Sequence, residues 1–195
     1  MHRKYVIALR KVLAVASMCA LGSQALADMP SNVRTFKKKD YVFGSVVISQ
    51  TFDSRKDPMD PVFRLQMRDR GRVLLVVNDV AFDDIVASPD GELFVGLSNG
   101  GWPGSAAMVF DRRGRVWFVA HHGAMALEYS ETSTFLKEWY DAKNPGLRFA
   151  ERNLLGDDFL QITLRNCNGE TVGLWDVVKN ATDRANAERQ RLRQD

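Results

Sequence analysis

Polar and apolar residues alternate with a period of two along much of the chain from Tyr41 onward. Phe63, Leu65 and Met67 are interleaved with Arg64, Gln66 and Arg68, the pattern of a strand with one buried face. Residues 73–77 (Val-Leu-Leu-Val-Val) are apolar without a break, which predicts a strand covered on both faces. Further strands are predicted at 85–87, 93–97, 108–110, 116–120, 159–164 and 172–175. The core expected from this pattern contains Val73, Leu75, Val95, Val109, Val116, Phe118, Ile162 and Leu164.

The connections carry hairpin chemistry. Arg68-Asp69-Arg70-Gly71, Ser88-Pro89-Asp90-Gly91, Asp111-Arg112-Arg113-Gly114 and Asn166-Cys167-Asn168-Gly169 each set polar residues before a glycine. Glycine supplies the positive φ of a tight turn, and Asp or Asn bonds the backbone just beyond it. Gly71, Gly91 and Gly114 are 20 and 23 residues apart, so the hairpins follow one another as a meander. One segment departs from the period of two. Residues 133–141 place Phe135 with Trp139, and Leu136 with Tyr140, four apart behind Ser and Thr, which predicts a short capped helix. Residues 177–195 are rich in Ala, Arg, Gln and Glu and predict a polar helical tail that frays in solvent.

Two hairpins in about 45 residues is the length of one β-propeller blade. Asn168-Gly169-Glu170-Thr171-Val172-Gly173-Leu174-Trp175-Asp176-Val177 resembles the closing strand of a WD40-type blade. Ser88-Pro89-Asp90-Gly91-Glu92-Leu93-Phe94-Val95 is similar to an inner propeller hairpin. The resemblance spans residues 60–177, with a single Trp-Asp ending and no Gly-His partner. It implies an incomplete, propeller-like stack of small antiparallel sheets, with a two-sheet β-sandwich as the rival. The expected fold class is all-β, with one short helix and a C-terminal helical tail.

The first 27 residues read differently. Arg3, Lys4, Arg10 and Lys11 precede an apolar run at 12–21, and Ala25-Leu26-Ala27 follows. A basic start, a short apolar core and an A-x-A site predict a secretory signal peptide. The run is about half the length a membrane span needs. Met18 before Cys19 occupies a position where a lipobox takes a small residue, which argues against lipidation. The expected organisation is a signal at 1–27, one β domain at 28–178 and a tail at 179–195, in a periplasmic or secreted protein. Cleavage removes four of the 27 basic residues and none of the 24 acids, so the mature balance is −1 rather than +3. The apparent basicity belongs to the signal, and nucleic-acid binding loses its motivation. Only Cys167 survives, which excludes an internal disulfide in the mature chain.

The candidate chemistry is sparse. His121 and His122 are adjacent, and neighbours on a strand point to opposite faces, so the pair cannot chelate one metal. One polar-facing and one packed histidine is the expected arrangement. No HxH, HExxH or CxxC is present, and no metal or cofactor is expected. The acid pairs Asp83-Asp84, Asp157-Asp158 and Asp57/Asp60 sit in turns or just before strands, where carboxylates cap backbone amides. Ser98-Asn99-Gly100-Gly101-Trp102-Pro103-Gly104-Ser105 is the most distinctive stretch. It lacks the Lys and following helix of a P-loop and the elbow of a serine hydrolase. An aromatic in a Gly/Pro loop is either an interface anchor or a lid folded on the core.

The whole arrangement also resembles the periplasmic immunity proteins that block peptidoglycan amidases of type VI secretion: small, signal-bearing and mostly β, with a Gly/Ser loop inserted into the amidase site. In this chain the matching stretch is 88–111, with Ser105 at the loop. A single mature cysteine departs from the disulfides common in that group. The resemblance implies a non-enzymatic module that binds a protein partner; the Gly-rich stretch itself, offering backbone donors, a hydroxyl and an indole, gives Asn99, Gly101, Trp102 and Ser105 as contacts, with Trp139 and Tyr140 as a second contact. The competing class is a small periplasmic hydrolase or lyase acting on an envelope polymer through the acids and histidines above.

Overall fold

Two four-stranded antiparallel meanders form the body of the protein in a computed structural model that describes residues 34–99, 105–122, 127, 129–131, 137–149 and 161–193. The first sheet contains β1 (Phe36–Phe43), β2 (Val46–Asp53), β3 (Val62–Asp69) and β4 (Arg72–Asn78), in that spatial order. The second contains β5 (Asp84–Ala87), β6 (Leu93–Leu97), β7 (Ser105–Asp111) and β8 (Val116–His121), again in sequence order. Two short pairs follow: β9 (Ser130–Glu131) with β10 (Lys137–Glu138), and β11 (Thr163–Arg165) with β12 (Thr171–Gly173). A single long helix, α1 (Leu174–Arg191), ends the described chain. The all-β class with antiparallel meanders is what the alternation predicts, and the described strands close no barrel.

The turn glycines behave as their sequences require. Gly71, Gly91, Gly114 and Gly169 all have positive φ. The acids and amides before them bond the backbone ahead: Asp90 accepts from Glu92 N–H, Asp111 from Arg113 and Arg115, and Asn166 from Asn168 and Glu170. Gly114 has a second constraint, because a Cβ there would run into the Leu74 carbonyl of β4. The β7–β8 turn therefore rests directly on the first sheet.

The second sheet is apolar on both faces, and this makes the fold a stack. All seven residues of β7 are buried; Ala106, Ala107 and Val109 join one cluster, and Met108 and Phe110 the other. Phe94, Met108 and Phe110 pack with Ile48, Leu65, Met67 and Ile85, which joins the two large sheets. Val95, Leu97, Ala107 and Val109 face the other way, onto Trp139, Tyr140, Ile162, Leu164 and α1. At the rim Arg112 ties the large sheets together, bonding Asp69 (3.0 Å) and Ser45 (2.7 Å) across the layer. That guanidinium, with Ser45 assisting, holds the Asp69 carboxyl below its usual range.

Five expectations need correction. Residues 73–77 are not covered on both faces: β4 is an edge strand, Val73 and Val76 are exposed, and a bulge at Met67/Arg68 shifts its register. Of the expected core, Val95, Val109, Ile162 and Leu164 are fully buried, while Leu75, Val116 and Phe118 are half-buried. The helix expected at 133–141 is not formed in its described part. Lys137–Glu138 is a strand, and Tyr140 bridges Asn166, because tertiary pairing overrides a weak i,i+4 signal. The expected closing strand at 172–175 ends at Gly173, where Asp176 turns back to the start of α1. The tail is a docked helix, since Leu174, Val178, Ala181 and Ala185 make a buried stripe of mostly small residues.

Candidate functional site

The connection from β4 to β5 is the anchor of the region around the Gly-rich segment. Val80 and Phe82 enter the core without belonging to a strand. Gln50, buried on β2, holds Phe82 as a strand partner would: Phe82 N–H donates to Oε1 (2.7 Å) and Nε2 donates to the Phe82 carbonyl (2.9 Å). Gly96 faces the Phe82 ring so closely that any Cβ would collide with it. The next residue, Asp83, receives Lys39 Nζ on its carbonyl (2.9 Å). Its carboxylate accepts from Ser98 Oγ (3.1 Å) and from Asn99 N–H (2.9 Å). The acid pair at 83–84 thus caps backbone and hydroxyl groups, as does Asp57 with Met59 N–H. Asp158 and Asp157 lie outside the described residues.

Asn99 is the hub of the first stem. Its Oδ1 accepts from Trp139 N–H (3.1 Å), and Tyr140 N–H approaches it at 3.4 Å. Its Nδ2 donates to the Tyr140 carbonyl (3.2 Å). Trp139 Nε1 donates to the Ser98 carbonyl (2.7 Å). Trp139 and Tyr140 meet edge to face, 5.0 Å between centroids, and are 2% and 3% exposed. Burial holds the Tyr140 hydroxyl well above its ordinary pKa, and the nearby acids Asp83 and Asp84 act in the same sense.

The second stem begins at Ser105, 1% exposed and paired with His121 across β7 and β8. His121 is exposed and His122 half-buried, the split expected of adjacent residues at a strand end. His122 Nδ1 bonds the Tyr129 hydroxyl at 2.6 Å. Its Nε2 and the Ser105 Oγ are both buried without a well-formed hydrogen bond. Burial lowers the His122 pKa, opposed by the backbones of Ser98 and Ser105, so the ring lies beside both stems.

The structure therefore brings Asn99, Ser105, Trp139 and Tyr140 into one neighbourhood, but facing inward. Trp139 and Tyr140, expected as a second contact on a helix, are core residues, and Ser105, expected on an exposed loop, is sealed at a strand start. Gly101 and Trp102 lie outside the described residues. Sequence reading missed Gln50 and Tyr129, and it named Ser98 and His122 without their partners; Gln50 and Ser98 bond groups 32 and 41 residues away, which no local pattern encodes. A serine nucleophile needs a hydrogen-bonded base, and among the described residues Ser105 has none. Among the described residues no three His, Cys, Asp or Glu side chains gather as metal ligands.

The first sheet offers a different surface. Its outward residues, Phe36 and Lys38 on β1, Thr51 and Asp53 on β2, and Arg64 and Gln66 on β3, line a groove of about 510 Å³ open to solvent. Comparison with protein-family models, with curated proteins and with solved structures returns no match to this chain. No described helix is long and apolar enough to cross a membrane.

Proposed function

We propose that this chain is an exported, non-enzymatic protein-binding module of the inhibitor or immunity type, which engages its partner through residues 100–104. The observation that carries the reading is the fixing of both ends of that segment. Asn99 is held by Asp83, Trp139 and Tyr140, and Ser105 is locked into the β7–β8 pair. Fixing both ends of a binding segment lowers the entropic cost of association. Trp102 is the residue of this segment able to bury large apolar area against a partner. Asn99 and Ser105 act as positioning residues rather than contacts. The extracytoplasmic setting rests on the basic and apolar N-terminal pattern.

The test is a paired assay on the mature protein. Incubation with cell-wall fragments is expected to release no product, and affinity capture from an extracytoplasmic extract is expected to retain one protein species. Turnover of the fragments would instead favour the hydrolase or lyase reading, with His122 as the first residue to replace.

A further inference from the structure

We propose that the outward face of the first sheet is a second docking surface, built for a protein partner that presents carboxylates around an apolar patch. The proposal rests on the protein-binding reading above but on different residues. An antiparallel sheet with one covered face normally turns polar residues to water. Here Phe36 and Val42 of β1, Val62 of β3, and Val73 and Val76 of β4 are 40% to 66% exposed. The strand register places them on one face: Phe36 lies opposite Asp53, which lies opposite Val62; Val76 lies opposite Gln66 and Val73 opposite Arg68. The other face of the same sheet is closed by the second sheet. Among the described residues, the large exposed hydrophobics elsewhere reduce to Leu192 near the end of α1, and Met59 sits in the β2–β3 loop beside this face.

Charge selects the partner. Lys38, Lys56, Arg64 and Arg68 line the groove against the carboxylates of Asp53 and Asp60, and Lys38 is also paired with Asp40 on the same face (2.8 Å), which together with Arg55 leaves two more cations than carboxylates. Asp53 is further engaged by Arg55 (2.6 Å), which stacks on Phe36, and its pKa is lowered to about 2. The cationic excess stands out because residues 28–195 together carry a balance of −1. Steering toward an acidic surface follows from this excess. A uniform polyanion fits less well, since it would meet Asp53 and Asp60 and leave the valines in water. A protein surface satisfies both the apolar and the cationic groups.

The experiment places a photo-reactive phenylalanine analogue at position 62, at position 76 and, as a control, at the exposed turn residue Asn168 in the full chain within the exporting cell. The proposal expects one protein, other than this chain, to cross-link from positions 62 and 76 and not from 168. The cross-linked peptide is expected to contain Asp or Glu. Arg64→Glu with Arg68→Glu is expected to lower the yield at least tenfold, and Arg64→Lys with Arg68→Lys to retain it, with circular dichroism unchanged in both. Cross-links to a second copy of this chain, to nucleic acid or to lipid would overturn the proposal, as would no yield above the control. A protein captured by the wild type that ignores the charge reversal would overturn this surface while leaving the proposed function standing. No captured protein from positions 62 and 76 would remove this surface and leave the reading of residues 100–104 to its own capture assay.

Discussion

Replacing Asn99 by Ala tests the central structural device most sharply. The side chain supplies Trp139 N–H with its acceptor and the Tyr140 carbonyl with a donor, at 3.1 and 3.2 Å. Both residues are at least 97% buried, so their backbone groups have little access to water once the amide is gone. An orphaned buried polar group costs about 1–3 kcal/mol. Asn99 itself is only half-buried, and water entering the vacated space recovers part of this. The expected loss is therefore about 2–3 kcal/mol, a large share of a typical stability of about 5–15 kcal/mol. Urea unfolding followed by tryptophan fluorescence measures it, with an unchanged m-value as the check that only stability moved. Asn99→Asp keeps the acceptor for Trp139 N–H but loses the donor and sets a second carboxylate near Asp83, so it is expected to be no better than Ala. A loss below about 0.5 kcal/mol for Asn99→Ala, the range of neutral surface changes, would refute the idea that this amide holds the stem.

The other outcomes concern packing, strain and protonation. Phe110→Ala, in the layer between the two large sheets, is expected to cost about 3–5 kcal/mol in urea melts, while Val73→Ala on the exposed face stays within about 0.5 kcal/mol. Gly114→Ala combines a φ of +87° with a collision at the Leu74 carbonyl, so it should destabilise by more than about 1 kcal/mol in the same melts. Ser105→Ala removes a buried hydroxyl without a partner, and a neutral or stabilising shift is expected; a loss above about 1 kcal/mol would mean that the hydroxyl is bonded. The folded-state pKa of His122 lies below its ordinary value, so the unfolded chain binds the proton first. Stability is then constant above the ordinary value of 6.5 and falls as the pH drops from there toward the folded value. His122→Gln should flatten that slope in a pH series of thermal melts.

The turns were the most legible part of the chain, because their chemistry is local. Asp90-Gly91, Asp111 to Gly114 and Asn166 to Gly169 each fold by bonds within five residues. Period-two alternation likewise located β3, β6, β7 and β8, and the burial of Val95 and Val109 on β6 and β7. What alternation cannot encode is which sheet lies in the middle. The unbroken run at 73–77 reads like an interior strand yet forms β4 at an edge, whereas Phe94 to Leu97 and Ala106 to Phe110 occupy the interior. Strand β1 is hidden by its lysines: the period of two shows only from Tyr41 onward, while its exposed edge keeps Lys37 and Lys38 in water. The helix α1 was underestimated because Ala181 and Ala185 carry little hydrophobic signal but allow close approach. The neighbourhood of Asn99 was foreseen as a set of residues and not as an arrangement. Its inward direction depends on Trp139 and Tyr140 arriving about 40 residues later.

The claim that this is a protein-binding module acting through residues 100–104 is tested most directly by quantitative affinity capture. Wild type and Trp102→Ala, matched for folding by circular dichroism and thermal melting, are immobilised and exposed to the same extracytoplasmic extract. The account predicts one species retained in near-stoichiometric amount by the wild type and reduced at least tenfold by Trp102→Ala. Equal recovery of that species by both proteins would contradict it.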